Sequence, residues 1–186
     1  MRPRARPAPT PCRAPAPSAA APAARTLVIG YGSPIRGDDA IGPLAAERLA
    51  TGPLPDGVRV VARHVLTAEL AEDLAGVDRV VFLDATVEGQ PGEVRVRALV
   101  PDARAVSTMA HFHDPRELLA WCETLYGRAP QAWLVSVAGQ SFDYASYRLT
   151  PCAGAAVAAM LAEVRSLIAS APPSAPLHRP LAGQNR

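Results

Sequence analysis

The chain has 186 residues, of which 49% are hydrophobic, and it carries a formal net charge of +2 at pH 7. These values describe one ordinary domain with enough apolar residues to bury a core. The longest apolar runs are the length of a strand and well short of the roughly 20 residues that cross a bilayer, so we predict no membrane-spanning segment.

The positive charge is concentrated at the two ends of the chain. Seven of the nineteen basic residues lie in residues 1–25 and 171–186, whereas all seventeen acidic residues lie between these ranges. The central part therefore has a net charge near −5 (twelve basic minus seventeen acidic residues). Nucleic acid is disfavoured as a partner because it requires clustered positive charge on the domain itself. Both ends are rich in Pro and Ala, and we predict disordered extensions around a single domain over residues 26–170.

The cysteines and the first residues indicate the compartment. Cys12, Cys122 and Cys152 are odd in number and lack CxxC or other ligand spacing, which favours neither a disulfide framework nor a zinc ribbon. The first 25 residues contain no continuous apolar stretch of the kind found in a secretory signal. A reducing cytoplasm is the predicted location.

Strand and helix patterns alternate from residue 26 onward. Short apolar runs predict buried strands, and one apolar–polar alternation predicts a half-exposed edge strand. Apolar residues at helical spacing and N-cap signals predict the helices. In chain order the predicted elements are a strand at 26–30, a helix from Asp38 to Leu49, a strand at 58–62, a helix from Thr67 (its N-cap) to Leu74, a strand at 79–83, the edge strand at 93–99, a helix from Asp114 to Tyr126, a strand at 133–137 and a helix from Thr150 to Ile168.

This alternation predicts an α/β fold. Strands joined by helices form a three-layer sandwich with a mostly parallel, doubly wound sheet and helices on both faces, and the edge strand is free to run antiparallel. In such sheets, sites form beyond the carboxyl ends of the strands. Polar side chains that follow strands are therefore the candidates for chemistry.

The loop after the first strand reads Gly30-Tyr31-Gly32-Ser33-Pro34-Ile35-Arg36-Gly37-Asp38-Asp39. It is not a dinucleotide fingerprint, because Ile35 stands where GxGxxG requires glycine. It is not a phosphate-binding P-loop either, because Asp38 and Asp39 replace the expected Lys and Ser/Thr and would repel a phosphate. The same two carboxylates would attract a cation. The alternative is that one or both only cap the following helix.

An aspartate and a pair of histidines supply further candidate ligands. Asp84 follows five strand residues, so its carboxylate must either reach solvent in the crevice or be paired; the alternative is that it caps the next turn. His111 and His113 lie in the loop before the third helix, and either could complete a set of one nitrogen and two carboxylates, as for nickel, zinc or iron. His64 is less favoured, and His178 lies in the predicted tail.

Three motifs stand out together: Gly30-x-Gly32-Ser33-Pro34-x-x-Gly37-Asp38-Asp39-Ala40-x-Gly42, then Phe82-Leu83-Asp84-Ala85, then His111 ahead of Asp114-Pro115. They resemble the motifs of the hydrogenase maturation endopeptidases, which trim the C-terminus of nickel–iron hydrogenase large-subunit precursors. The later stretches 135–142 and 149–151 are also similar to the family, so the resemblance spans about residues 26–168.

The resemblance implies a nickel-binding set. In the family an acidic residue after strand one, an aspartate after strand three and a histidine bind nickel, and these correspond to Asp39, Asp84 and His111. His111 is preferred to His113 because it keeps the family's six-residue step to an acidic helix residue, here Glu117.

The first motif also carries a further acid and departs from the family at three positions. Asp38 is implied to orient the site and joins Asp39, Asp84 and His111 in the predicted catalytic set. Ser33 stands where the family usually has Asn, and Ala40 where Gly is common. Asp39 is one methylene shorter than the Glu of some relatives, which would change the metal geometry slightly. We expect activity to survive these replacements.

The resemblance further implies a metal-dependent endopeptidase whose partner is the large-subunit precursor and whose nickel is presented by that precursor. Zinc or cadmium is expected to be able to occupy the same site in vitro. A receiver-like signalling domain shares an acidic pair and a strand-end Asp, but it requires a lysine and the chain has none. A non-catalytic hydrogenase assembly chaperone is disfavoured because all three ligand types are retained.

Overall fold

The computed structural model describes residues 25–104 and 114–170. Its strands are β1 (Thr26–Tyr31), β2 (Val58–Arg63), β3 (Arg79–Thr86), β4 (Val94–Leu99) and β5 (Gln131–Ala138). Its helices are α1 (Ile41–Ala50), α2 (Leu70–Ala75), α3 (Pro115–Tyr126) and α4 (Pro151–Ala169), and a 3-10 turn (Gly37–Ala40) precedes α1. Residues 1–24 and 171–186 lie outside the described residues, so the disorder expected there stays a prediction.

The five strands form one sheet in the order β2-β1-β3-β5-β4. β2, β1, β3 and β5 run parallel, while β4 pairs antiparallel with β5 at the edge. Both features confirm the predicted sheet. Among the central strands, β1 and β3 are buried over their first five residues and β5 over its last four, because helices cover both faces.

The two faces of the sheet contribute to two separate apolar cores. Val28 and Val81 pack with α1 and α4 on one face. Their neighbours Ile29 and Phe82 pack with α2 and α3 on the other. This alternation follows from the period of two along a strand, and it confirms the three-layer arrangement.

Two predicted helix starts are confirmed and one is wrong. Asp114 and Thr150 each accept a hydrogen bond from a main-chain N–H of the first turn and precede a proline at the first helical position. The predicted N-cap Thr67 is wrong, because the helix begins at Leu70 without a side-chain cap. Thr67 belongs to the preceding turn, in which the Leu70 N–H donates to the Thr67 carbonyl oxygen. The side chains of Leu66 and Leu70 are buried in the core and hold this turn in place.

One helix in the described part of the chain, α4, is long and apolar enough to span a membrane by length and composition, with a mean hydropathy of 1.6. The sequence prediction considered only continuous apolar runs and missed it. Its buried residues pack against the sheet, and they are Ala153, Ala156, Val157, Met160, Leu161 and Val164. Glu163 and Arg165 are exposed on the outer side. We interpret α4 as a core helix whose outer face consists mainly of small residues.

Candidate functional site

A row of polar side chains crosses the sheet near the carboxyl ends of its parallel strands. Asp84 of β3 lies opposite Ser136 of β5, which in turn lies opposite Arg95 of β4. Tyr31, the last residue of β1, donates a hydrogen bond from its hydroxyl to the Asp84 carboxylate. All four side chains line one cleft of about 740 Å³.

The cleft opens between the edge strand and the start of a helix. Its other walls are formed by Arg97 and Leu99 of β4 and by Asp114, Pro115 and Arg116 at the start of α3. The cleft therefore lies on the α2/α3 side of the sheet. Its location at the strand tips is the one expected for sites in open α/β sheets.

Asp84 lies further inside the sheet than the sequence predicted. The strand does not end before it but continues to Thr86, because β5 pairs with every residue up to that position. The Asp84 carboxylate therefore lies on the strand itself, two residues before its end. It is partly buried and lines the cleft.

The surroundings of Asp84 raise its pKa to about 7. Burial is the largest cause, and the negative charges of Asp39 and Asp114 add to it. The Tyr31 hydroxyl and the Ala85 N–H, the latter at 2.8 Å, donate hydrogen bonds that lower the pKa of Asp84. Their effect is smaller than the combined effect of burial and the two negative charges. An added cation would oppose both the burial penalty and the repulsion between carboxylates.

Asp39 lies in the 3-10 turn after β1, close enough for its charge to act on Asp84, although it does not line the cleft itself. Its Oδ2 accepts a hydrogen bond from the Ser33 N–H at 2.9 Å. Because Ser33 donates from the main chain, its replacement of the family's Asn leaves this bond intact. Gly32 is required here: its φ is +137°, and a Cβ would lie 2.0 Å from the Asp39 carbonyl oxygen.

Asp38 faces the interior and is 0% exposed. Its carboxylate accepts the main-chain N–H groups of Gln140, Ser141 and Thr150 and the Thr150 hydroxyl, at 2.7–3.2 Å. Burial raises the pKa of Asp38, but these hydrogen bonds outweigh it and the net shift is downward. Asp38 therefore anchors the segment that follows β5 to the turn that carries Asp39.

The histidines are placed only in part. His111 and His113 lie outside the described residues, so the third predicted ligand is not located. His64 is exposed after β2 and does not line the cleft. Within residues 25–104 and 114–170, no three His, Cys, Asp or Glu side chains form a metal-binding group. The described part of the predicted set is the pair Asp39 and Asp84.

The described residues just before and just after the histidine loop contact each other. The Arg116 side chain pairs with Asp114 at 3.1 Å and with Asp102 at 3.9 Å. The Asp102 N–H also donates to the Arg116 carbonyl oxygen at 3.0 Å. These bonds fix the points between which residues 105–113 connect β4 to α3.

Comparison with protein-family models and with curated proteins finds no match, whereas the fold matches several solved structures. The hydrogenase maturating endopeptidase HybD from E. coli is 26% identical with a TM-score of 0.65, and the match covers 77% of this chain and 91% of that one. The hydrogenase 2 maturation peptidase from Thaumarchaeota archaeon SCGC_AB-539-E09 is 27% identical with a TM-score of 0.60, covering 77% and 97%. The maturation protease HycI from Thermococcus kodakarensis KOD1 is 26% identical with a TM-score of 0.62, covering 78% and 92%.

Over most of its length the chain is similar in fold and in sequence to hydrogenase maturation endopeptidases, which supports the resemblance found in its motifs. The five-stranded sheet with one antiparallel edge strand is consistent with the fold of these relatives. The relatives bear the names of endopeptidases, peptidases and proteases, which supports a hydrolase as the coarse class of activity.

Sequence reasoning missed three members of the polar row, Ser136, Tyr31 and Arg95. Ser136 interrupts the apolar run of β5, and Tyr31 stands between two glycines of the first motif. A polar residue in the middle of a buried strand was the available signal for Ser136. Tyr31 carried no such signal. It lies beside Asp84 only because β1 pairs with β3, and nothing in the spacing along the chain indicates that pairing.

Proposed function

We propose that this chain is an endopeptidase that removes the C-terminal peptide from a nickel-loaded large-subunit precursor of a nickel–iron hydrogenase. The observation that carries the proposal is that Asp39, in the turn after β1, lies close enough to Asp84, near the end of β3, for its charge to act on it, in a chain with the fold of the maturation proteases. Nickel enters with the precursor and is treated as part of the substrate.

The described residues fit a divalent cation. Asp39 offers carboxylate oxygens from the turn after β1 and Asp84 from the neighbouring strand β3, and the effect of Asp39 on the pKa of Asp84 shows that the two charges repel. A cation between them would remove that repulsion. The resemblance adds the imidazole of His111, and a mixed nitrogen and oxygen set suits a borderline metal such as nickel.

The remaining polar groups position this pair. The Tyr31 hydroxyl holds one orientation of the Asp84 carboxylate, as outer hydrogen bonds do for metal-binding side chains. The pKa of Tyr31 is raised well above its ordinary value by burial and by the Asp84 charge, so Tyr31 stays protonated and remains a donor. Asp38 supports Asp39 indirectly, by fixing the turn that contains both residues.

Hydrolysis would take place where the cleft meets this pair. The cleft beside Asp84 has the volume of a small-ligand site and is therefore suited to a short peptide segment in an extended form. Water adds to the scissile carbonyl carbon, the C–N bond breaks, and the proton given up by water passes to the new amino terminus. Bound nickel would supply positive charge near the developing oxyanion or mark the loaded precursor as ready.

The test is cleavage of a purified nickel-loaded precursor, followed by gel mobility. We expect wild-type protein to yield a faster-migrating product. Asp39→Asn, Asp84→Asn and His111→Ala should each slow cleavage by more than the about 10–100-fold that loss of an outer hydrogen-bond partner of a metal-binding side chain costs. Asp56→Asn, an exposed acid in the loop before β2, is the matched control and should cleave normally.

Two results would contradict parts of this proposal. Wild-type protein that binds the precursor without shortening it would favour the assembly chaperone over the protease. Normal cleavage by all three site variants would leave the family intact but show that the assigned site residues are wrong.

A further inference from the structure

Two exposed tyrosines, three positions apart in the sequence, lie in the loop between β5 and α4. Tyr144 is 79% exposed and Tyr147 is 73% exposed, the largest exposed fractions among the aromatic side chains described. Aromatic rings contribute much of the binding energy in many protein interfaces, and an exposed ring is available to be buried against a partner. The pair is therefore more informative than single exposed apolar residues elsewhere.

The loop that carries these rings is held in place. Asp38 binds its start at Gln140 and Ser141 and its end at Thr150. Between these points Ser146 donates to the carbonyl oxygen of residue 35 at 3.1 Å and accepts from the N–H of residue 37 at 2.8 Å. Side chains on such a loop lose little conformational freedom when a partner binds.

The backbone between the two tyrosines is unusual. Ala145 has a φ of +60°, the left-handed region that a residue with a Cβ seldom adopts. It is the one positive-φ residue other than glycine in the described chain. Strained positions of this kind persist where the surrounding bonds enforce them and are common at binding sites.

The position of the loop connects it to the proposed active site. It leaves the carboxyl end of β5 and returns across the strand tips to the turn that holds Asp38 and Asp39. It leads into α4, which packs with α1 on one side of the sheet, whereas the cleft beside Asp84 is lined by the start of α3 on the other side. The loop therefore contacts the turn that carries Asp39, and the cleft is lined by Asp84, so both adjoin the proposed site.

The cleft is too small to account for the whole contact with a folded protein substrate. A cleft of about 740 Å³ accepts a short segment. A specific protein complex buries about 800 Å² on each partner, which requires contacts beyond such a cleft.

We propose that Tyr144 and Tyr147 form a docking surface for the folded body of the precursor whose C-terminal segment enters the cleft. This inference rests on the proposed function and adds to it the surface that selects the protein substrate. Tyr144 and Tyr147 supply binding energy, and Asp38 keeps their loop in register with the site.

The first experiment separates binding from chemistry. The double variant Tyr144→Ala/Tyr147→Ala should raise KM for the folded nickel-loaded precursor at least tenfold and leave kcat unchanged. Tyr126→Ala is the matched control, because Tyr126 is 47% exposed at the end of α3, away from the strand tips. It should leave both constants unchanged. A wild-type KM for the double variant would overturn the docking surface.

The second experiment does not depend on cleavage. Binding of the precursor to immobilised wild-type, double-variant and Tyr126→Ala protein should show at least tenfold weaker binding for the double variant only. If wild-type protein binds but does not cleave, the proposed protease activity fails while this difference still supports docking. Absence of binding by wild-type protein overturns docking. Sedimentation that shows a wild-type dimer dissociated by the double substitution assigns the surface to a second copy and also overturns it.

Discussion

Replacing Asp38 by Asn tests the interpretation of the most deeply buried carboxylate in the site region. The substitution keeps the shape of the side chain but puts an NH₂ group in place of one oxygen. Oδ2 accepts three of the four hydrogen bonds and Oδ1 accepts the Thr150 N–H. The least damaging orientation therefore puts the NH₂ group against the Thr150 N–H and leaves that donor without an acceptor.

The expected loss follows from this arrangement. One hydrogen bond to a charged acceptor is worth about 1.5–3 kcal/mol, and a buried donor left unsatisfied costs about 1–3 kcal/mol more. Weaker bonds to the neutral amide add to the loss, and removal of the buried charge offsets part of it. We expect Asp38→Asn to lower the free energy of unfolding by about 3–5 kcal/mol at pH 7, a large part of the stability of an ordinary domain.

The pH dependence provides a second check on the same variant. The ordinary pKa of this carboxyl is 3.8, and the folded structure lowers it. A group with a lowered folded pKa stabilises the protein above its unfolded pKa, and that contribution is lost as the pH falls through the folded value. Urea unfolding should therefore show the full difference at pH 7 and a smaller one in acid below 3.8. Asp56→Asn should show neither effect. A difference below about 1 kcal/mol at pH 7, the size of an ordinary surface effect, would refute the anchoring role.

Three further substitutions test neighbouring contacts. Tyr31→Phe removes the donor to Asp84 but keeps the ring, and we expect kcat/KM for the precursor to fall about 10–100-fold with little change in unfolding free energy; a value within twofold of wild type would exclude the positioning role. Gly32→Ala should lower the unfolding free energy by about 2–4 kcal/mol in urea, because the new Cβ meets the Asp39 carbonyl at a strained φ; an unchanged midpoint would contradict this. Arg116→Ala removes two largely exposed ion pairs and should cost less than about 1 kcal/mol by thermal unfolding; a larger loss would mean that these pairs form a cooperative network.

The fold was predictable because its main determinants are local. The five strands and four α-helices follow from apolar runs, helical spacing and cap-plus-proline signals such as Asp114-Pro115. The start of α2 was not predictable, because burial of Leu66 and Leu70 decides it and not the capping preference of Thr67. The end of β3 was also missed, because its last residues depend on pairing with β5.

The sequence indicated which acidic residues lie in the candidate site, but it did not indicate what each of them contacts. Two adjacent acids, Asp38 and Asp39, give the same signal in sequence. Only contacts more than 100 positions away show that Asp38 faces inward, toward Gln140 and Thr150. The link between Tyr31 and Asp84 likewise arises from neighbouring strands. Long-range register of this kind is absent from any local pattern.

The most direct test of the account is the intact mass of two precursor samples, one loaded with nickel and one free of nickel, after incubation with this protein. We predict that the nickel-loaded sample loses a single C-terminal peptide and that the nickel-free sample keeps its full mass. Unchanged mass in both samples would contradict the proposed endopeptidase, and equal cleavage of both would contradict recognition of nickel at Asp39 and Asp84.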